Sequence, residues 1–182
     1  MKSAQHDAKV VWSSLSQCED PKATVLVESA LTWFDEHPDA LNGFLSVLRR
    51  QSDFSLRLID WLTTNYSRRH RVTTFYQGLP VDIHDDYRRH LGVFTKRFFD
   101  PFARRDRLHV TLREHTFSTT VGQLNFMKWL FEKQIDHILR QHKSSIEQDM
   151  RRHETRRKEG EKAADESGTP TLLYVGSFHL RF

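Results

Sequence analysis

Residues 124–131 have the sequence LNFMKWLF, which places apolar side chains on almost every side of a helix. A helix that is apolar all round has to be buried. Thr120 and Gln123 stand just before it with the spacing of a capping box, which predicts that a helix begins at this point. We therefore expect a long central helix over residues 120–140, with the rest of the chain packed around it.

Four further segments have apolar residues at helical spacing. They cover residues 24–36, 39–50, 54–66 and 82–99. Two short segments, 72–76 and 108–112, are rich in β-branched or alternating apolar residues and are typical of strands. The sequence thus predicts an α+β fold, a mostly helical single domain with two or three short strands. Its expected core consists of Trp61, Phe94, Leu124, Phe126, Leu130 and Phe131.

The composition changes sharply near residue 141. Residues 140–166 contain only two large apolar side chains, Ile146 and Met150, so burial can contribute little to ordering them. This segment is either a solvated helical extension or a disordered linker. We accordingly divide the chain into an N-terminal tail, a globular helical core, a charged extension or linker, and a terminal strand. Their boundaries are residues 1–20, 21–141, 142–168 and 169–182.

The last residues, TPTLLYVGSFHLRF, return to strand character, and a strand that follows a linker has to pair with something. It pairs either with the sheet of its own chain or, through residues 171–182, with a partner protein by strand addition. The sequence leaves both alternatives open.

Several classes of protein are excluded by composition. Cys18 is the single cysteine, which rules out an internal disulfide and a cysteine-rich zinc site and fits a reducing compartment. No apolar run is long enough to cross a bilayer or to act as a signal peptide, so we expect an intracellular protein that is not secreted. The common glycine-rich phosphate-binding motifs do not occur, and we predict no cofactor.

Two groups of polar residues have the right chemistry for a metal or catalytic site. Histidines 84, 109 and 115 lack the accompanying motifs of a zinc site, and aspartates 82, 85 and 86 fit the first turn of a helix, where acidic residues favour the helix dipole. No nucleophile, base and oxyanion donor occur at a recognisable spacing. We predict neither a metal site nor an enzyme.

Charge is distributed unevenly along the chain. Residues 1–48 hold three lysines and seven acidic residues, which is a net charge of −4. Since the whole chain has a net charge of +4, the residues after 48 carry a net charge of +8. The tripeptide Arg-Arg-His occurs three times, at residues 68–70, 88–90 and 151–153. Arginine binds phosphate through two hydrogen bonds, and aromatic rings beside it can stack on unpaired bases. The pattern therefore indicates either nucleic-acid binding or charges that only solvate helix ends.

If the pattern marks nucleic-acid binding, ten basic residues are the candidates for phosphate contacts and three aromatic residues for base stacking. The phosphate candidates are Arg68, Arg69, Arg71, Arg88, Arg89, Lys96, Arg97, Arg104, Arg105 and Arg107. The stacking candidates are Tyr66, Tyr87 and Phe102.

Asp100 and Pro101 predict a turn after the fourth helix, because proline biases the preceding residue away from helical backbone. We expect the carboxylate of Asp100 to accept a hydrogen bond from a backbone amide that follows it. Such a turn would direct Phe102 into the core and leave Arg104 and Arg105 projecting together. The turn is then either a folded corner only or a rigid platform for phosphate or an acidic partner.

Three runs in this order resemble a family of uncharacterised proteins from giant and other nucleocytoplasmic large DNA viruses. They are LIDWLTTNYS at 58–67, KRFFDPFARRDR at 96–107 and TTVGQLNF at 119–126. The tail VGSF at 175–178 also resembles that family's terminal strand. Ala103 stands where the family pattern has cysteine, which argues against thiol chemistry there. The resemblance implies a viral source, in the host cytoplasm, nucleus, viral factory or virion, and carries no activity with it.

From sequence we therefore predict a non-enzymatic viral accessory protein that contacts DNA or RNA through a basic surface interleaved with aromatic residues. The alternative is a structural or assembly adaptor of the virion that acts through protein–protein contacts. The sequence does not determine the oligomeric state, and we expect no contact with membranes.

Overall fold

The structure is a computed structural model that describes residues 8–13 and 19–166, with side chains as far as residue 157. Cys18 and the terminal strand expected at 169–182 lie outside the described residues. The helices are α1 (Pro21–Glu36), α2 (Pro38–Leu48), α3 (Leu56–Trp61, continued by Leu62–Tyr66 and Ser67–His70), α4 (Ile83–Phe98), α5 (Val121–Glu132) and α6 (Ile135–Glu166). The strands are β1 (Lys9–Trp12), β2 (Thr73–Tyr76), β3 (Leu79–Asp82), β4 (Arg107–Leu112) and β5 (His115–Thr120). The α+β class with a helical majority is confirmed.

Short polar side chains begin four of these helices, as expected for N-caps. Asp20 accepts from the backbone of Lys22 at the start of α1, at 3.0 Å. At the starts of α3, α4 and α5, the side-chain oxygens of Ser55, Asp82 and Thr120 each accept a hydrogen bond from the backbone amide three residues ahead. The N···O distances are 3.2, 3.0 and 3.1 Å respectively. The predicted capping role of Thr120 is confirmed.

Helix α5 is the centre of the fold. It contacts α1, α4, α6 and β5, and ten of its twelve residues are buried. Leu124, Phe126 and Leu130 are fully buried and Phe131 is 9% exposed, as expected for the core. Trp61 and Phe94 are only partly buried and pack against this core from its edge.

The five strands form two antiparallel sheets. In the larger sheet β4 lies between β1 and β5, and Leu108, Val110 and Leu112 of β4 point into the core. In the smaller sheet β2 pairs with β3, with Phe75 opposite Pro80. Residues 1–20 were predicted to be a tail, but β1 pairs with β4 from Lys9 opposite Thr111 to Trp12 opposite Leu108, and that assignment is corrected.

The predicted boundary at residue 141 also needs correction. The central helix ends at Glu132, and after Lys133 and Gln134, which has a positive φ of 55°, a new helix α6 runs to Glu166. Of the two alternatives, helical extension and disordered linker, the helix is observed as far as residue 166. It is not simply solvated, because Ile146 is fully buried and α6 packs along α3.

Helix α3 contains a π-helical segment at Leu62–Tyr66, where the amide of Ser67 donates to the carbonyl of Leu62, five residues earlier. Within this segment, the carbonyl oxygen of Thr63 lies 3.2 Å from Nδ1 of His84. This contact joins α3 to the first turn of α4.

Candidate nucleic-acid interface

The turn after α4 is held by the first turns of α5. The side-chain amide of Asn125 donates to the carbonyl of Phe98 at 2.9 Å, and that of Gln123 donates to the carbonyl of Pro101 at 3.0 Å. The amide of Asp100 donates in turn to the carbonyl of Gly122 at 3.3 Å. A Cβ on Gly122 would lie 3.1 Å from the carbonyl oxygen of Arg97, so the two elements are in close contact. We call residues 98–103 the corner.

The carboxylate of Asp100 accepts a hydrogen bond from the amide of Phe102 at 2.8 Å, which confirms the predicted turn. The expectation that Phe102 points into the core is wrong, because its side chain is 40% exposed. Pro101 occupies the buried position instead. Phe102 therefore keeps a ring on the surface, as its other predicted role as a stacking residue requires.

Helix α4 exposes basic side chains over its whole length. Arg88, Arg89, Lys96 and Arg97 are all exposed, and so is Val93, at 60%. Arg89 pairs with the buried carboxylate of Asp86 at 3.3 Å, and Arg97 pairs with Asp20 at 3.3 Å while covering the ring of Phe98. Near Lys96 the helix is interrupted at Thr95, which has φ 59° and ψ 169°.

The three basic candidates at the end of α3 differ in their partners. Arg69 forms an ion pair with Asp149 of α6, and Arg71 lies 3.5 Å from the carboxylate of Asp82. Arg68 is exposed and makes no ion pair within the described part of the chain.

The ten predicted phosphate contacts therefore fall into two groups. Four of them are held by carboxylates: Arg69, Arg71, Arg89 and Arg97. Six make no ion pair with any residue in the described ranges: Arg68, Arg88, Lys96, Arg104, Arg105 and Arg107. Five of these six lie between residues 88 and 107, on α4 or just after the corner.

Two of the three predicted stacking residues do not present a free ring. Tyr87 is 8% exposed and packs among Phe99, Phe126 and Trp129, so its assignment as a base-stacking residue is corrected. The reason is that Tyr87 lies on the face of α4 that meets α5. Tyr66 is half-buried and its ring centre lies 4.2 Å from that of His70.

The structure also brings together basic residues that the sequence analysis did not place in the interface. His153 of α6 packs with its ring centre 5.1 Å from that of Trp61, and Arg69 covers the same ring at 5.3 Å. The Arg-Arg-His run at 151–153 thereby lies beside the run at 68–70. The only sequence signal for this neighbourhood was the repetition of the tripeptide itself.

Asp60 is a partly buried carboxylate of α3 whose electrostatic neighbours include Asp100 and Lys96. Burial raises its pKa, the nearby charge of Asp100 raises it further, and Lys96 acts in the opposite direction. In the described ranges, no group of three or more metal-ligating side chains comes together, and no helix is long and apolar enough to span a membrane.

Residues 14–170 match the model of a family described as Family of unknown function (DUF7197). The chain belongs to this family. A relative in the curated collection of proteins is "Uncharacterized protein L507" of Acanthamoeba polyphaga mimivirus, 28% identical over 154 residues that cover 78% of this chain. The matched segment spans 58% of that relative's length. No solved structure matches the chain. The predicted resemblance to an uncharacterised family of giant viruses is confirmed.

Proposed function

We propose that this protein binds single-stranded nucleic acid through the exposed basic residues of α4 and of the segment that follows the corner. The binding surface, which we call the corner surface, comprises Arg88, Lys96, Phe102, Arg104, Arg105 and Arg107. Residues 88–107 carry seven basic and two acidic side chains, a net charge of +5. The observation that carries the proposal is that five of these cations, close in sequence to an exposed phenylalanine, make no ion pair with the residues that the structure describes.

Unpaired arginines favour this function because each can contact a phosphate without first breaking a protein ion pair. Gln123 and Asn125 hold the backbone of the corner, which directly precedes Arg104 and Arg105, and this limits the conformational entropy lost on binding there. Phe102 offers a ring for base stacking, which contributes about 1–3 kcal/mol per base and does not depend on sequence. Bases in a duplex are already stacked, so the exposed ring favours a single strand.

The test compares the wild-type protein with Arg104→Ala/Arg105→Ala by fluorescence anisotropy of labelled single-stranded DNA and RNA of about 20 nucleotides. We expect the double variant to lose at least tenfold in affinity, about 1.4 kcal/mol. Wild-type binding should weaken steeply between about 50 and 200 mM salt, because counterions are released on binding. Both arginines are exposed, so the melting temperature should stay within a few degrees.

A matched control is Lys9→Ala/Arg49→Ala, which also removes two exposed positive charges but lies on β1 and at the end of α2. If the control loses as much affinity as the Arg104/Arg105 variant, only net charge matters and the corner surface is not the site. Absence of binding at low salt would end the proposal altogether. Phe102→Ala should weaken single-strand binding without changing the dependence on salt.

The second candidate is a virion structural or assembly protein, and the hairpin of β2 and β3 favours it. Phe75 is 64% exposed and Leu79 is 68% exposed, which is unusual for large apolar side chains. A protein of this kind would co-purify stoichiometrically with another viral protein from infected cells, in the presence of nuclease. Phe75→Ser/Leu79→Ser should abolish that co-purification, whereas an unchanged complex would exclude the hairpin. Partner binding through residues 171–182 remains a separate proposal, testable by truncation after residue 170.

A further inference from the structure

Helices α3 and α6 form a second basic surface around Trp61. The helices run antiparallel, with Arg57 near the start of α3 paired to Glu154 and Arg69 near its end paired to Asp149. The indole of Trp61 donates to Asp149 at 2.8 Å, which fixes the ring between Arg69 and His153. We call this the Trp61 surface, consisting of Arg68, Arg69, His70, Arg152, His153 and Arg156.

Cations extend from this ring along α6. Arg152 and Arg156 follow Asp149 at three and seven residues, so the three side chains share one stripe of the helix. Both arginines are exposed, and neither makes an ion pair with any residue in the described part of the chain. Together with Arg68 they give three unpaired guanidinium groups, next to Arg69, which shares the carboxylate of Asp149 with His70 and Trp61.

The chemistry of this surface fits a phosphodiester backbone better than an acidic protein. Protein interfaces have an apolar centre with a polar rim. The exposed large apolar residues in the described part of the chain are Val11, Val25, Phe75, Leu79, Val93 and Phe102, none of which lies on α3 or α6. Exposed arginines about one helical turn apart, with Trp61 only partly exposed and no exposed large apolar residue beside them, instead suit a polymer of regularly repeated anionic groups.

We propose that the Trp61 surface is a second binding site for the phosphodiester backbone of nucleic acid, separate from the corner surface. This second site rests on the proposed function only in that nucleic acid is taken as the ligand of both surfaces. One chain then contacts nucleic acid on both α4 and α6, and each site contributes its own share of the dependence on salt.

The experiment measures the affinity of Arg152→Ala/Arg156→Ala for the same labelled oligonucleotides over a range of salt. We expect at least a threefold loss of affinity and a salt slope that is lower by about two, one for each phosphate contact removed. Arg152→Lys/Arg156→Lys should keep most of the affinity, because it keeps the charge. The control remains Lys9→Ala/Arg49→Ala, and melting curves check that every variant is folded.

The outcomes separate the two proposals. If Arg152→Ala/Arg156→Ala behaves like the control while Arg104→Ala/Arg105→Ala loses affinity, the Trp61 site is overturned and the corner site stands. The reverse result supports the Trp61 site and removes the corner site. If both double variants lose affinity, and the variant that combines all four substitutions loses more than either, the result supports both binding sites. If Arg152 and Arg156 are needed for binding polyglutamate but not the oligonucleotide, the Trp61 surface recognises acidic protein and the proposal fails.

Discussion

The indole Nε1 of Trp129 donates a 2.7 Å hydrogen bond to Oδ2 of Asp86, a residue that is 3% exposed. Arg89 and His90 also lie within 3.6 Å of the same carboxylate. A buried charge with several partners is costly to disturb, because removing one partner leaves the others without compensation. This relationship joins α4 to the central helix and gives Asp86 a structural role.

We expect Trp129→Phe to lower the free energy of unfolding by about 1.5–3 kcal/mol, because the change removes a hydrogen bond to a charged group. Asp86→Ala should also destabilise the fold, since the indole then lacks an acceptor. Urea unfolding followed by circular dichroism measures both effects. Asp85→Ala is the control, as this neighbour is exposed. An equal loss in the control would contradict a special role for Asp86.

The stability of the corner should depend on the hydrogen bonds that the side-chain amides of Gln123 and Asn125 donate to it. Asn125→Ala leaves the carbonyl of Phe98 without its side-chain donor, and Asn125 is 9% exposed. We expect a loss of about 1–3 kcal/mol in stability, the usual cost of an unsatisfied buried polar group. Gln141→Ala, which removes an exposed amide on α6, should change stability little. Unchanged stability in Asn125→Ala would show that the corner is held by other contacts.

Asp60→Asn should make the protein more stable at neutral pH. Burial and the charge of Asp100 raise the pKa of Asp60 in the folded state above its ordinary value, so ionisation opposes folding. The extra stability of Asp60→Asn over the wild type is present above the pKa of Asp60 in the folded state. It disappears as the pH falls below the pKa of an aspartate in the unfolded chain, about 3.9. Melting temperatures from acidic to neutral pH test this. The exposed Asp53→Asn serves as control, and a destabilised Asp60→Asn would contradict the expectation.

Asp149 should show the opposite dependence on pH. Burial raises its pKa, but hydrogen bonds from Trp61 and Arg69 outweigh burial, so the pKa of Asp149 is lower than usual. The stabilisation of the fold by ionised Asp149 is therefore complete above about pH 4, the pKa of an aspartate in the unfolded chain. It is lost as the pH falls through the pKa of Asp149 in the folded state. Asp149→Asn should be less stable than wild type at neutral pH, and the difference should shrink in acid. Urea midpoints measure it, and a constant difference across pH would argue against this role.

The elements with strong local signals were predictable from sequence. The all-round apolar pattern of 124–131 identified the buried centre, and the Asp100-Pro101 pair identified the corner. Strand β3 was missed because Pro80 gave the segment the appearance of a turn, and β5 because its threonines and serine resembled helix caps. Strand β1 carries too few residues to be recognised without its partner β4.

The candidate site was predictable in composition but not in geometry. Exposure of Arg104 and Arg105 follows from their position after a turn, whereas the burial of Tyr87 depends on which face of α4 meets α5. Contacts such as that of Trp61 with Asp149 join residues 88 positions apart, and no local pattern indicates them. The same is true of the ion pairs that occupy Arg69 and Arg97.

The π-helical segment of α3 sets the rotational phase between the two ends of that helix. Trp61 and Arg69 are eight residues apart, and in a continuous α-helix their side chains would point about 80° apart. The extra residue in the π-helical segment takes up about 100° of rotation and leaves them nearly aligned. Arg69 accordingly covers the Trp61 ring and reaches Asp149. A regular α-helix over Leu62–Tyr66 with every residue kept would turn Arg69, His70 and the basic end of α3 about 100° away from α6, whereas deleting one residue there would restore a regular helix and keep Arg69 aligned with Trp61.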